Sequence, residues 1–263
     1  MKFFTIHSLT ILLLFTVNWS FAQNKKVVED AVYLYDAKGN SVKNIGSAVT
    51  YDVVSKENDT VYIVRSYKNY GPMIKQEMFK DSELTIPNGR FAWYNTNGNL
   101  DSTGIALDGK KDGRWEYHNS TTWKDKEGNY KDSVVETKYY QKGKLVTWDD
   151  LYRKQDTTGR KQAEFPGKAA AWKKYLMRNL RAELGQLILS YSNLKDRRAE
   201  EIVSFIVMAD GNVGDIFLCR SSGYPFDNEV IRIIKEGGKW EPAEQAGKKV
   251  IYRQKQAITF ATQ

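Results

Sequence analysis

The chain has few of the residues that build covalent, metal or catalytic sites. It contains one cysteine, Cys219, and two histidines among its 263 residues, so it forms no internal disulfide and shows no metal-ligand spacing. We find no Ser-His-Asp or Cys-His grouping and no phosphate-binding loop in the sequence. These absences predict a protein that is not an enzyme and has no catalytic, cofactor-binding or metal site. Catalysis by carboxylates alone is the one enzymatic alternative that the residue types leave open.

We interpret the isolated cysteine, histidine and paired aspartates as structural or solvated residues and not as parts of a site. Cys219 lies in an apolar strand pattern, which is typical of a buried thiol. His118 stands near a turn signal without a second metal ligand, and we predict a surface histidine. Asp149 and Asp150 are adjacent acids without regularly spaced oxygen ligands, so we predict solvated carboxylates.

The positive charge of the chain forms no patch. The net charge is +8, spread over both halves, and the sequence has no basic run or nucleic-acid motif. We therefore predict no nucleic-acid partner. Proline is also scarce, with five residues, and 41% of the residues are hydrophobic, which is typical of a folded chain.

Long apolar runs are confined to the N-terminus. A positive start at Met1-Lys2 precedes an apolar stretch that is densest over residues 11–17, and small residues stand at Ser20 and Ala22. This layout predicts a signal peptide, residues 1–22, cleaved after Ala22, with no membrane span in the mature chain. The alternative is an uncleaved N-terminus retained as an anchor, although polar residues dilute the roughly 20 apolar residues that a span requires.

Residues 23–150 carry the pattern of a β-rich domain. Runs such as Val61–Val64 are separated by Asn-Gly and Asp-Gly pairs, which favour tight hairpin turns. The segment Gly89–Tyr94 is echoed by Gly113–Tyr117, and related glycine and aromatic positions recur over about residues 86–148. This stretch resembles the MORN-like repeats of exported bacterial proteins.

The aromatic residues of these repeats allow two interpretations. Phe91, Trp93, Trp115 and Tyr117 either pack against one another as a core or form an extended surface that binds a peptide, glycan or lipid headgroup. We favour the core, because an isolated hairpin is unstable without such packing and each ring buries a large area.

Residues 151–163 are polar and predict a linker, after which the pattern changes. Apolar residues at three- to four-residue spacing predict an amphipathic helix over Lys168–Leu187. Two apolar strands follow, Ile202–Met208 and Val213–Arg220, and Phe226 begins a second helix that ends at the Gly237-Gly238 pair. A last strand runs to Phe260, with alternate residues from Val250 on one face.

Short sequence motifs characterise the second half of the chain. In chain order they are Glu164-Phe165-Pro166-Gly167, Val203–Val207, Asp210-Gly211, Asp215-Ile216, Arg220-Ser221-Ser222-Gly223, Trp240-Glu241-Pro242-Ala243, Gly247-Lys248 and Ile258-Thr259-Phe260. Residues 164–263 are thereby similar to the TonB C-terminal domain family. The predicted fold class is α+β: an antiparallel β-rich repeat domain of MORN-like hairpins, then a TonB C-terminal-like α/β sandwich of helix, β-hairpin, helix and strand.

The resemblance implies a periplasmic protein-binding adaptor. In the family, an extended peptide of an outer-membrane transporter adds a strand to the sheet edge, and the implied role includes energy-coupled transport. The edge implied here is the last strand, with Arg253, Gln254, Lys255 and Gln256 as the protein-binding residues. If the N-terminus is retained, the location is the inner membrane instead. The alternative function is a structural envelope-assembly protein without a transport role.

Overall fold

In a computed structural model, the described residues are 30–119, 123–124, 130–131, 134–146, 161–191, 194 and 197–261. The predicted signal peptide, Asp149-Asp150 and residues 151–160 of the predicted linker lie outside the described residues.

The N-terminal half is built of short antiparallel strands. Their bounds are β1 (Ala31–Tyr35), β2 (Ser41–Val42), β3 (Thr50–Asn58), β4 (Val61–Lys68), β5 (Met73–Phe79), β6 (Gly89–Tyr94), β7 (Leu100–Leu107), β8 (Lys110–His118), β9 (Trp123–Lys124), β10 (Tyr130–Lys131), β11 (Val134–Gln141) and β12 (Lys144–Val146). Ten of them form one sheet in the order β12-β11-β8-β7-β6-β5-β4-β3-β1-β2, and β9 pairs with β10 separately. The sheet is largely a meander because tight turns join consecutive strands, as at Asp108-Gly109 and Gly98, whose positive φ angles suit those turns.

One face of this sheet carries a row of aromatic rings. The ring centroids of Phe91 and Trp93 are 6.0 Å apart, and those of Trp93 and Trp115 are 5.9 Å apart. The Trp115 ring lies flat on Gly104, where an added Cβ would stand 2.1 Å from a ring carbon. Phe91 and Trp115 are buried, whereas Trp93 and Tyr117 are half-buried. Two of the four rings named in the sequence therefore belong to a core.

Among the described residues, the α-helices lie in the C-terminal half. Its elements are α1 (Lys168–Asn179), α2 (Leu184–Leu187), β13 (Arg198–Val207), β14 (Val213–Arg220), α3 (Tyr224–Glu236), β15 (Ala243–Gln245), β16 (Lys248–Val250) and β17 (Tyr252–Ala261). The strands β14, β13 and β17 form an antiparallel sheet in that order, and β15 pairs with β16. The mixed, antiparallel architecture agrees with the predicted α+β class.

The first predicted helix is shorter than the apolar spacing indicated. It ends at Asn179, and Leu180 is extended with ψ of 135°. The backbone N–H of Arg181 donates to the buried carboxylate of Glu229 at 2.9 Å, and Arg232 donates to the Asn179 carbonyl at 2.7 Å. These contacts take the backbone groups that would continue the helix, so the predicted span to Leu187 was wrong.

Two strand boundaries also differ from the sequence pattern. The first strand of the hairpin begins at Arg198 rather than Ile202, because β17 pairs with β13 as far as Arg198↔Ala261. The last strand begins at Tyr252, and the residues before it form β16, which pairs with β15 rather than with the larger sheet.

The two halves share a hydrophobic core. Tyr67 and Met73 of the N-terminal sheet lie in the same buried cluster as Phe205 and Phe226 of the C-terminal half. Lys161, near the end of the predicted linker, pairs with Glu244 of β15. The C-terminal sheet is therefore held against the N-terminal sheet rather than standing apart from it.

Candidate protein-binding site

The strand β17 lies at one end of the three-stranded sheet formed by the described residues. It pairs with β13 along its whole length, from Tyr252↔Val207 to Ala261↔Arg198, and the order of the sheet ends with it. A strand in this position presents one row of backbone N–H and C=O groups to β13 and the other row away from the sheet. This is the strand that the sequence resemblance implied as the binding edge.

The two faces of β17 have different neighbours. Ile258 and Phe260 are buried, and the Phe260 ring centroid lies 5.3 Å from that of Phe226 on α3. Because side chains alternate along a strand, Gln254 and Gln256 lie on this same helix-covered face, where both are half-buried. Arg253 lies on the opposite face, toward the N-terminal sheet.

Arg253 takes part in a cluster that crosses from one half to the other. Its guanidinium forms an ion pair with Asp215 on β14, and Arg90 on β6 donates to the same carboxylate at 2.7 and 2.6 Å. Both guanidinium groups lie over the Phe217 ring, at 4.4 Å for Arg90 and 5.4 Å for Arg253. We call these four residues the arginine–aspartate cluster.

The positive charges of Arg90 and Arg253 determine the ionisation state of Asp215. Burial alone raises the pKa of Asp215, but hydrogen bonds from Arg90 and the charges of Arg90 and Arg253 outweigh it and hold the pKa below its ordinary value. Asp215 is therefore a carboxylate at neutral pH, and it accepts charge-assisted hydrogen bonds from both arginines.

Lys255 on β17 and His118 at the end of β8 lie within electrostatic range of each other. Burial lowers the pKa of Lys255, and the carboxylate of Glu116 opposes that shift. Burial also lowers the pKa of His118, whose side chain is only 5% exposed. The prediction of a surface histidine was therefore wrong, and the charge of Lys255, 137 residues further along the chain, contributes to lowering the pKa of His118.

A groove runs beside the second half of β17. It has a volume of about 370 Å³ and is lined by Lys173, Leu176, Met177, Leu180, Arg181, Ala182, Gly185 and the β17 residues Ala257–Ala261. The Met177 side chain is 77% exposed at the rim, although methionine is usually buried. Lys173 contributes a positive charge to this rim, whereas the guanidinium of Arg181 is ion-paired with Glu229 at 2.7 Å.

A buried acid pair lies behind the sheet, between the two halves. Glu201 on β13 accepts the backbone N–H of Ser222, and Asp227 on α3 accepts the hydroxyl of Ser221 at 2.7 Å. Burial raises the pKa of Glu201 well above its ordinary value, and the charge of Asp227 raises it further. Burial also raises the pKa of Asp227, to about 6.

Other kinds of site are not found in the described part of the chain. Across residues 30–261, excluding the gaps given above, no group of three or more His, Cys, Asp or Glu side chains is placed to hold a metal ion. Within the same residues, no helix has the length and apolarity needed to cross a membrane. Cys219 is buried in β14, and burial raises the pKa of its thiol to about 12.

A small antiparallel sheet with a helix on one face has, at its terminal strand, an edge to which an extended peptide can add a further strand. Residues 193–262, which include the whole of this sheet and α3, match the family model described as Gram-negative bacterial TonB protein C-terminal. The predicted resemblance is confirmed for these residues. Neither curated proteins nor solved structures gave a match to the chain.

Sequence reasoning found the strand but not the contacts that surround it. The sequence identified Arg90 only as part of a repeat, and Asp215 only as part of a motif of the TonB C-terminal family. Glu201 and Asp227 were not singled out. The sequence signal for such residues is a carboxylate or arginine within an otherwise apolar strand pattern. Burying an unpaired charge costs free energy, so such a residue is expected to have a partner. The repeat assignment of residues 86–148 stays a prediction.

Proposed function

We propose that the chain is an exported, periplasmic adaptor that binds an extended segment of an outer-membrane transporter or another envelope protein. The observation that carries this proposal is the position of β17 at the end of a sheet that matches the TonB C-terminal family. Domains of that family are periplasmic protein-interaction domains, which supports a role in envelope binding or in energy-coupled transport. The proposal assigns the chain no catalytic role.

Strand addition provides the chemistry of binding. A partner segment satisfies the outward row of β17 backbone groups with its own backbone, so affinity does not depend on one side chain. Its alternate side chains then contact the two environments that flank β17. The groove beside Leu176 and Leu180 accepts apolar side chains on one side, and the ammonium of Lys173 at its rim favours an acidic residue.

The four residues predicted from the sequence divide between these environments. Gln254 and Gln256 lie toward the helices, where an amide can donate to and accept from a partner. Arg253 is already paired with Asp215, and Lys255 lies close to Glu116. We therefore assign contact with the partner side chains to the two glutamines, and a role in shaping the strand to the two basic residues.

Photo-crosslinking in cells tests the proposal. A photo-reactive amino acid at Gln254 should capture a segment of an outer-membrane transporter or envelope protein. The same amino acid at Lys38, in an exposed turn of the N-terminal sheet, serves as the matched control. Capture of the same proteins at both positions, or of no envelope protein at Gln254, contradicts strand addition to β17.

A structural assembly role is the second candidate, favoured by the close packing of the two halves. Tyr94 of β6 donates its hydroxyl hydrogen to the Leu218 carbonyl at 2.9 Å, and this contact is buried. A β-rich half packed in this way holds β17 in a fixed position relative to the N-terminal sheet. It does not act as an extended spacer. Normal substrate uptake in a deletion strain, together with an altered envelope, favours this second role.

A further inference from the structure

The arginine–aspartate cluster joins the N-terminal sheet to the strand that we propose as the binding strand. Arg90 is 9% exposed, and its guanidinium is oriented from both sides. Its Nε and Nη2 atoms donate to Asp215, while its Nη1 donates to the Thr103 hydroxyl at 3.2 Å. Thr103 in turn donates to the Phe91 carbonyl at 2.8 Å. The orientation of Arg90 is thus set by Thr103 of the N-terminal sheet on one side and by Asp215 of β14 on the other.

Asp215 links Arg90 to Arg253 on β17. Its φ of 44° places it in the left-handed region, at a register shift of the β13–β14 pair between Ser204 and Ile206. Its Oδ2 atom accepts from both Arg90 and Arg253, and its backbone carbonyl accepts from Arg253 at 3.3 Å. A side chain that bridges two guanidinium groups fixes each relative to the other.

The two halves of β17 are held differently. The second half is anchored by the buried side chains of Ile258 and Phe260. Near the start of the strand, the exposed residue Arg253 connects β17 to Asp215 and Phe217 on β14. The arginine–aspartate cluster therefore acts on the part of β17 that contains Gln254 and Gln256.

We propose that Arg90 is a positioning residue for β17, acting through Asp215 on Arg253. The relevance of this role to partner binding rests on the proposed function. A strand that is held extended before a partner arrives loses less conformational freedom on pairing, so preorganisation strengthens binding without a new contact. The N-terminal β-rich half thereby contributes to affinity at a strand that Arg90 itself does not touch.

Hydrogen exchange of the full chain, measured peptide by peptide, tests this positioning role. The Arg90→Met variant keeps an unbranched apolar stem and removes the guanidinium and its charge. We expect exchange in residues 252–256 to become about tenfold faster, while β13 and α3 change much less, because the loss is local. Unchanged exchange in residues 252–256, or an equal acceleration of β13, α3 and β17, overturns the proposal.

The ion pair between Glu57 and Lys235 provides a matched control. It also joins the N-terminal sheet to the C-terminal half, with distances of 2.6 and 2.8 Å, but it ends on α3. The Glu57→Gln variant should therefore leave exchange in residues 252–256 at the wild-type rate. Equal acceleration of that segment in both variants would show a general loosening between the halves and would overturn the role of Arg90.

Two further variants keep the test decisive if Arg90→Met folds poorly. Arg90→Lys retains the charge but loses the two-pronged contact, so it should accelerate residues 252–256 less than the methionine variant. Combining Arg90→Lys with Arg253→Met should give no faster exchange in that segment than Arg253→Met alone. An additive effect of the two substitutions contradicts the route through Asp215.

Crosslinking from Gln254 separates this inference from the proposed function. If wild type captures a partner, Arg90→Met should reduce the yield while Glu57→Gln does not, and an undiminished yield overturns the positioning role. If wild type captures no envelope protein, the proposed function fails. In that case local acceleration in residues 252–256 still supports a strand held by Arg90, and its absence overturns it.

Discussion

The carbonyl oxygen of Gly98 accepts the backbone N–H of Ser221 at 2.9 Å, joining a hairpin turn of the N-terminal sheet to the end of β14. The neighbouring residues Asn99 and Arg220 form an antiparallel bridge at the same place. A backbone contact of this kind fixes the distance between two segments more tightly than a pair of long side chains. It makes the two halves of the chain one packed structure near the C-terminal sheet.

Gly98→Ala should destabilise the protein strongly. A Cβ at this position would stand 1.9 Å from the Ser221 carbonyl oxygen, and Gly98 has φ of +79°. The control is Gly109→Ala, since Gly109 has φ of +78° but no atom within 4 Å of the added Cβ. We expect Gly98→Ala to lower the free energy of unfolding in urea by at least about 2 kcal/mol more than Gly109→Ala. Equal losses in the two variants would show that the close contact has no role.

Gly104→Ala tests the packing of the aromatic row. Its added Cβ would stand 2.1 Å from the Trp115 ring, which must then leave the face of the sheet. We expect a loss of about 1 to 3 kcal/mol and a change in tryptophan fluorescence. Combining it with Trp115→Val should make the effect of the alanine much smaller. A loss that persists without the Trp115 ring contradicts this explanation.

Glu201→Gln should change the dependence of stability on pH. The folded protein keeps a proton on Glu201 that the unfolded chain releases above the ordinary pKa of 4.5, so wild-type stability falls as pH rises from that value. A neutral amide removes this decline. We expect the variant to be more stable than wild type by about 1 to 3 kcal/mol at pH 8, and to show little gain near pH 4.

Denaturation at several pH values measures this effect. The control is Glu83→Gln, because Glu83 is exposed and its substitution should leave the pH profile unchanged. A Glu201→Gln variant that is less stable than wild type at pH 8 would show that Glu201 is held as a stabilising carboxylate, contrary to the burial argument.

Cys219 should be unreactive in the folded protein. Its thiol is buried and burial raises its pKa to about 12, so very little thiolate exists at pH 8. Iodoacetamide at that pH should modify the denatured chain within minutes and leave the native chain unmodified, as measured by mass spectrometry. Rapid labelling of native protein would place the thiol at the surface.

Local patterns predicted the C-terminal fold well, since each element there has its own signal. Alternation marked the strands, three- to four-residue spacing marked the helices, and Gly237-Gly238 marked the end of α3. The first helix ended early because Glu229, 48 residues away, captures the N–H of Arg181. Contacts at such separations leave no local pattern in the sequence.

The surroundings of the candidate site were beyond prediction for the same reason. Arg90 and Asp215 lie 125 residues apart, and no local rule pairs them. His118 was misassigned because no local pattern marks its burial, and Lys255, whose charge acts on it, belongs to the other half of the chain. The residues that sequence reasoning proposed for binding lie on the terminal strand, whereas Arg90, which is linked to this strand through Asp215 of β14, comes from the N-terminal sheet.

The most direct measurement is the register of crosslinks formed by β17 in cells. Photo-reactive residues placed in turn at Gln254 and Gln256 should capture one partner segment, at sites two residues apart, because paired strands advance together. That result supports a partner strand added to β17. Crosslinks that scatter over unrelated proteins without a shared register, or that reach only other residues of this chain, contradict it.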